Sequence, residues 1–474
     1  MRPGIKRVVF SLGLLATILL ICDSAYAQSG VTSVPGTLHD GATYLIEVPS
    51  NWNGTLFLYS HGYVVPGASN PATDVGDPLT RLFMLAKGYA LAGSSYATTG
   101  WAIQQAIPDQ IAVLDAFNKL FHQPDRTIAW GHSLGGIITA GLIQKNPGRF
   151  TAALPMCGVL SGGVATWNTA LDSEFAFEVL IAPGSGLQVV NIADPETNLE
   201  IAEEALAIAQ SSPQGRARIA LAASLSDLPG WFTPLTPEPD PTDFDSQEAN
   251  QFLWDEEVDF PFVFAFRAEL EFRATGNPSW NTGVNYKQQF ERSIDRAEVE
   301  ALYKEAGLSL NSDLDALQDA ARISADPPAV RYLEQNVDFN GRIGIPVLTL
   351  HTKGDGLVVV ENESAYKNVV SSEGNGRFLR RDFVDRAGHC AFTPAETIAA
   401  VETLVDRIDT GNWKERDASD LNTAAAALGP EFNVFLSGST VVATPPAFID
   451  FVPAPYLRPF DGGPHDCRID FECK

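Results

Sequence analysis

The stretch Gly131-His132-Ser133-Leu134-Gly135-Gly136 constrains this chain more than any other. Before it lies a short strand-like run, Arg126 to Trp130 (RTIAW). After it comes an apolar run of helical length, Gly136 to Gln144 (GIITAGLIQ), which Asn146-Pro147-Gly148 ends. A G-x-S-x-G stretch in that setting reads as a sharp, strained strand-to-helix turn, where side chains flanking the serine would collide and glycines are required. Such a turn lifts the Ser133 hydroxyl above a sheet and aims a helix N-terminus at it, a place suited to developing negative charge. Ser133 is therefore the candidate nucleophile.

A serine hydroxyl attacks poorly until a base takes its proton, so an imidazole oriented by a carboxylate is expected further along. The chain has seven histidines. His132 lies inside the turn and reads as structural, while His39, His122 and His465 lack any supporting pattern and read as surface residues. His389 follows the strand-like Arg377 to Val384 and precedes Phe392-Thr393-Pro394, where a new helix would begin. Upstream, Ile345 to His351 (IPVLTLH) reads as a buried strand that leads into Gly354-Asp355-Gly356, a carboxylate on a glycine-flanked loop. Asp355 is the expected orienting acid. Asp385 is its rival, although its position at a strand end suits a turn residue better. His351 reads as a strand-end or supporting residue.

The order Ser133, Asp355, His389 along the chain is the one α/β-hydrolases use. Residues from about 42 to 157 and from about 344 to 411 resemble a secreted bacterial α/β-hydrolase of the carboxylesterase and lipase type. Within them, Gly88-Tyr89-Ala90-Leu91-Ala92 followed by Ser94 to Trp101 is similar to that family's second core strand and its glycine-containing loop. The resemblance implies an α/β fold, with a mostly parallel central sheet flanked by helices and a site built at the strand C-termini. It also implies an oxyanion loop at His61-Gly62-Tyr63, after the strand-like Thr55 to Ser60, with the backbone N–H groups of Tyr63 and Leu134 as donors and His61 supporting the loop. In such a fold Cys157 and Cys390 would lie above the same side of the sheet, and a bridge between them would pin the histidine loop. Cys467 and Cys473 would then staple the tail. Four cysteines allow three pairings, and the alternative of metal binding finds no paired C-x-x-C or H-E-x-x-H spacing.

Arg2, Lys6 and Arg7 precede an apolar run from Val8 to Cys22, and Ala25-Tyr26-Ala27 fits a small-x-small cleavage pattern, so residues 1–27 read as a signal peptide. The run is too short to span a membrane comfortably. The expected location is the periplasm or the exterior, without a transmembrane segment once the leader is removed. That leader carries three Lys/Arg and one Asp, so its removal takes the formal charge from −26 to −28. Such acidity disfavours nucleic acid as a partner.

What remains of the 474 residues exceeds a minimal hydrolase core. The surplus, residues 161–340, reads as a large, mainly helical insertion in the position of a cap or lid. It separates core segments 28–160 and 341–428, and a C-terminal appendage covers 429–474. Helical periodicity appears at Asn198 to Gln210, Gly215 to Ser226, Arg296 to Ala306 and Asp313 to Ile323. Trp231, Phe232, Phe252, Trp254, Phe260, Phe262, Phe264, Phe266 and Phe272 form an aromatic cluster. Together they suit an apolar roof over a substrate pocket, and singly each suits the insertion's own core.

The expected activity is hydrolysis of carboxylic esters with a hydrophobic acyl or alcohol part, without a cofactor. Substrates would range from short esters to triglycerides or polyesters. A serine peptidase or an acyltransferase on the same fold, or a hydrolase-like binding protein, are the alternatives.

Overall fold

The computed structural model describes residues 30–414, 416–437 and 440–460. The leader and Cys467 and Cys473 lie outside the described residues.

Nine strands form one sheet. In chain order they are β1 (Val31–Thr37), β2 (Thr43–Pro49), β3 (Thr55–Ser60), β4 (Ala90–Ser94), β5 (Arg126–His132), β6 (Ala152–Met156), β7 (Val347–Gly354) and β8 (Leu379–Ala387), joined by the late Phe448–Ile449. The spatial order is β1-β2-β4-β3-β5-β6-β7-β8, with Phe448–Ile449 on the β8 edge. From β4 to β8 the pairings are parallel, and the strands at either end pair antiparallel. The parallel strands are buried on both faces, which explains their continuous apolar runs (TLFLYS, AALPM) in place of alternation.

Helices Ile103–Leu120 and Leu134–Lys145 pack on one face, with Ile107, Phe117, Ile137 and Leu142 buried among them. Helix Pro394–Thr410 packs on the other, against Phe57, Trp130 and Leu350. The last of these helices starts where a threonine can cap it: Thr393 accepts from the Glu396 amide while Glu396 accepts from the Thr393 amide.

Between β6 and β7 the chain leaves the sheet and forms a helical insertion with an apolar core of its own, built on Leu171, Phe177, Leu206, Leu221 and Tyr303. Its helices begin where caps allow. Asp194 and Ser212 each accept from an amide three residues on, and each is followed by a proline in the first turn. These caps start the helices at Pro195 and Pro213, a few residues before the apolar periodicity does. Residues 255–259 and 261–266 are π-helical. Periodicity gives no warning of this, but Pro261 lacks the N–H that an α-helical ladder needs at that point, and wider turns accommodate the loss.

The C-terminal segment returns across the molecule. Besides the edge strand, it buries Arg458, whose guanidinium meets both carboxylate oxygens of Asp172 in the insertion at 2.9 Å.

Candidate active site

The turn after β5 has the strained geometry its glycines imply. Ser133 sits at φ 58°, ψ −122°, between the strand and helix Leu134–Lys145. A Cβ at Gly131 would lie 2.4 Å from the Ser60 carbonyl oxygen, and one at Gly135 would lie 1.9 Å from it. No side chain fits at either position, so β3 and the elbow approach as closely as their backbones permit.

The structure brings the three residues singled out in the sequence into one hydrogen-bonded chain. His389 Nε2 lies 2.7 Å from Ser133 Oγ, and His389 Nδ1 lies 2.8 Å and 3.0 Å from the two Asp355 carboxylate oxygens. The carboxylate also accepts from the Val358 amide at 3.0 Å. Asp385, the rival acid, turns outward to Lys353 at 3.7 Å and is 44% exposed. With His389 held by Asp355 through Nδ1, its Nε2 is free to take the Ser133 proton.

Behind Asp355 lies a part that sequence reasoning reached only halfway. His351, read as a supporting residue, is fully buried and has an acceptor at each ring nitrogen: Nδ1 faces Glu363 Oε1 at 3.2 Å, and Nε2 faces the Val358 carbonyl at 2.8 Å. Both nitrogens must then carry protons, which makes this ring an imidazolium. Burial opposes that charge, but Asp355 and Glu363 outweigh it and push His351 up to about 10. Burial likewise opposes ionisation of Asp355, and the charges and hydrogen bonds of His389 and His351 overcome it, holding the carboxyl below its ordinary range. Glu363, on a helix after β7, had no local signal, since only the tertiary fold sets it beside His351.

The loop after β3 lies against the serine. A Cβ at Gly62 would be 3.8 Å from Ser133 Oγ. His61 anchors this loop: its ring stacks on Tyr96 at 4.0 Å, and its nitrogens lie 2.7 Å from the Gly62 carbonyl and 3.2 Å from the Ser95 carbonyl. Tyr63 and Leu134 both line the cavity in front of Ser133. The Leu134 amide belongs to the first helical turn, where N–H groups have no intrahelical acceptor.

The histidine loop is tied down from three directions. A disulfide joins Cys157, after β6, to Cys390. Thr352 donates to the Gly388 carbonyl at 2.8 Å. Arg386 forms a buried fork with Glu396 at 2.6 and 2.9 Å and donates to the Ala391 carbonyl at 2.7 Å.

A cavity of about 130 Å³ opens from Ser133 under the insertion. Its wall is largely apolar and aromatic, with Trp101, Trp167, Phe177, Phe260, Phe262 and Phe264 among its residues. Phe262 and Phe266 also pack on the Tyr63 ring, at 5.0 and 5.8 Å. Both readings of the aromatic cluster therefore hold at once, for Phe264 is fully buried in the insertion's core and still faces the cavity. Phe272 does neither: it is 85% exposed. Sequence reasoning also missed Tyr456, which the returning C-terminal segment delivers to the cavity wall.

Against known proteins, residues 88–179 match the prolyl oligopeptidase family model. The chain is 30% identical over 441 residues to the o-phthalyl amidase of Xanthobacter agilis, covering 85% of this chain and 93% of that protein. The chain belongs to the α/β-hydrolase family of serine hydrolases. Among solved structures, the hydrolase aligns with an esterase from Aspergillus oryzae at 12% identity and TM-score 0.43, over 90% of this chain and 88% of that one. It also aligns with the Pyrococcus horikoshii acylaminoacyl peptidase at 10% identity and TM-score 0.38, over 85% of this chain, and there it spans only 45% of the other chain's length. Among the described residues the hydrolase has no helix long and apolar enough to cross a membrane.

Proposed function

We propose that this hydrolase cleaves carboxylic acyl compounds, esters foremost, through an acyl-enzyme on Ser133. The observation that carries the reading is the chain from Ser133 through His389 to Asp355 at the mouth of an apolar, aromatic cavity. Ser133 Oγ attacks the carbonyl carbon as His389 Nε2 takes its proton. The Tyr63 and Leu134 amides hold the oxyanion, and Asp355 stabilises the imidazolium that forms. The tetrahedral species expels the leaving group, which receives the proton from His389. Water then attacks the acyl-enzyme by the same route, releasing the acid and restoring Ser133. The reaction calls on no cofactor. The insertion acts as a cap that excludes bulk water and shapes the acyl or alcohol site.

Amide cleavage is the second reading, favoured by the 30% identity to a protein named an amidase. Both bonds pass through the same acyl-enzyme, and they differ in how strongly the leaving nitrogen needs the His389 proton. The leader pattern and the Cys157–Cys390 bond both support export to an oxidising compartment.

The test is hydrolysis of p-nitrophenyl esters from acetate to palmitate, with matched p-nitroanilides, by the wild type and Ser133→Ala. Turnover that vanishes in the variant supports the reading. The ester-to-anilide ratio decides between the two bonds. A wild type that turns over none of these compounds would end it.

A further inference from the structure

We propose that the cavity beside Ser133 contains an ammonium-binding subsite, formed by Asp255 and Asp259 on a wall that Glu174 also makes acidic, and that it selects substrates carrying a protonated amine. As a statement about substrates this rests on the reading above; as a binding site it stands on the wall of the cavity.

All three carboxyls line the cavity, Asp255 and Asp259 from the π-helical side of the insertion and Glu174 from helix Gly163–Leu180. No lysine, arginine or histidine is among the lining residues. Asp255 is only 6% exposed, yet among the described residues its side chain has no hydrogen-bond or ion-pair partner. Asp259 Oδ2 and both carboxylate oxygens of Glu174 are buried and accept no hydrogen bond. Glu174 meets Arg267 at 3.6 Å, and Glu271 also claims that guanidinium at 3.0 Å. One guanidinium shared between two carboxylates leaves the wall with uncompensated acid.

Buried polar groups normally find partners, and several unpaired acceptors facing one cavity call for a donor that arrives from outside. Burial pushes Glu174 up to about 8, and burial also raises Asp255 and Asp259, the latter further through the Asp255 charge. These carboxyls are therefore poised to gain from a cation. A bound ammonium supplies three donors and a positive charge at once, restoring the ionised form of the acids it meets. An anionic acyl group in the same place would meet two acids and no lining base. Spacing explains why the pair is easy to miss in the sequence. Asp255 and Asp259 stand among Glu256, Glu257, Trp254 and Phe260, and which of these acids reaches the cavity is set by how the insertion packs.

The experiment titrates the purified chain with benzylamine, protonated at neutral pH, and with benzyl alcohol, its near-isosteric neutral counterpart, by calorimetry. The same two compounds are then tested as inhibitors of p-nitrophenyl butyrate hydrolysis, and the titrations are repeated on Asp255→Asn and Asp259→Asn. The amine should bind at least about tenfold tighter than the alcohol, as charge-assisted hydrogen bonds imply, and that preference should collapse in the variants. Equal binding in the wild type overturns the proposal without recourse to any variant, because neutral carboxyls that merely donate would hold the alcohol equally well. A preference that survives both substitutions overturns it too. Ester turnover without amine preference would sink this inference and spare the proposed function. Amine preference without any turnover would do the reverse.

Discussion

Ser133 depends on its neighbours' lack of side chains as much as on its own hydroxyl. With 1.9 Å between a Cβ at Gly135 and the Ser60 carbonyl oxygen, Gly135→Ala must push the elbow away from β3. A displacement near 1 Å at a reacting atom lowers rate by about 100-fold, so the variant should fold and lose most of its kcat, as steady-state kinetics beside a thermal melt would show. Asp355→Asn removes the acceptor that sets the His389 tautomer, and kcat should drop by about 10⁴-fold with KM little changed. His351 acts one residue further back. Replacing His351 with Asn and Glu363 with Gln together removes a buried cation with its counter-charge. Asp355 then loses one of the positive charges that hold its carboxyl down, and the acid limb of the kcat profile, which reports the coupled His389–Asp355 pair, should shift. An unmoved limb would show that His351 only fills space.

At the scale of elements, the histidine loop is the part that has to be held. It leaves β8 and enters helix Pro394–Thr410 through the capping box, the Arg386–Glu396 fork and the disulfide to the end of β6. The Cys157–Cys390 bond closes 233 residues of chain and so constrains the unfolded state strongly. The double Cys→Ser variant should lose about 2–5 kcal/mol of stability, measurable by denaturant unfolding, with kcat reduced as His389 loosens. Glu396→Gln leaves the Arg386 cation buried and half-paired, a loss of about 3–5 kcal/mol, and stability should suffer there before chemistry does. The strands of this layer were easy to read because both faces are buried and their apolar runs are continuous. Helix starts were less so, since a cap such as Asp194 precedes the periodic pattern it begins.

The molecule as a whole carries many more carboxyls than its surface explains. Asp227 is pushed up to about 7, and Glu298 and Glu361 to about 8, each chiefly by burial. A carboxyl raised on folding binds more protons in the native state than in the unfolded one between its ordinary range and the raised value. Stability from this source is therefore full below pH 4 and is lost as pH climbs to about 8. His351, raised to about 10, adds stability that is likewise lost toward alkali. The fall is opposed below about pH 6.5, where His61 and His132, held neutral by burial, would take up protons on unfolding, and further at the acid end, where Asp355 would protonate. Thermal melts should accordingly show a higher Tm near pH 5 than near pH 8.5, and a flat profile would mean that these acids are hydrated in solution. The residues of the Ser133–His389–Asp355 chain, their order and the strands that bear them could be read from the sequence alone, because a strained turn, a glycine-flanked acid and a histidine between strand and helix each leave a local mark. The Cys157–Cys390 bridge followed from the resemblance and the structure holds it, but the imidazolium of His351 on Glu363, the place of Asp255 and Asp259 on the cavity wall, and the arrival of Tyr456 left no such mark. Those depend on which distant segments the sheet order and the packing of the insertion bring together, and neither burial nor an unpaired charge leaves a mark until the chain has closed around it.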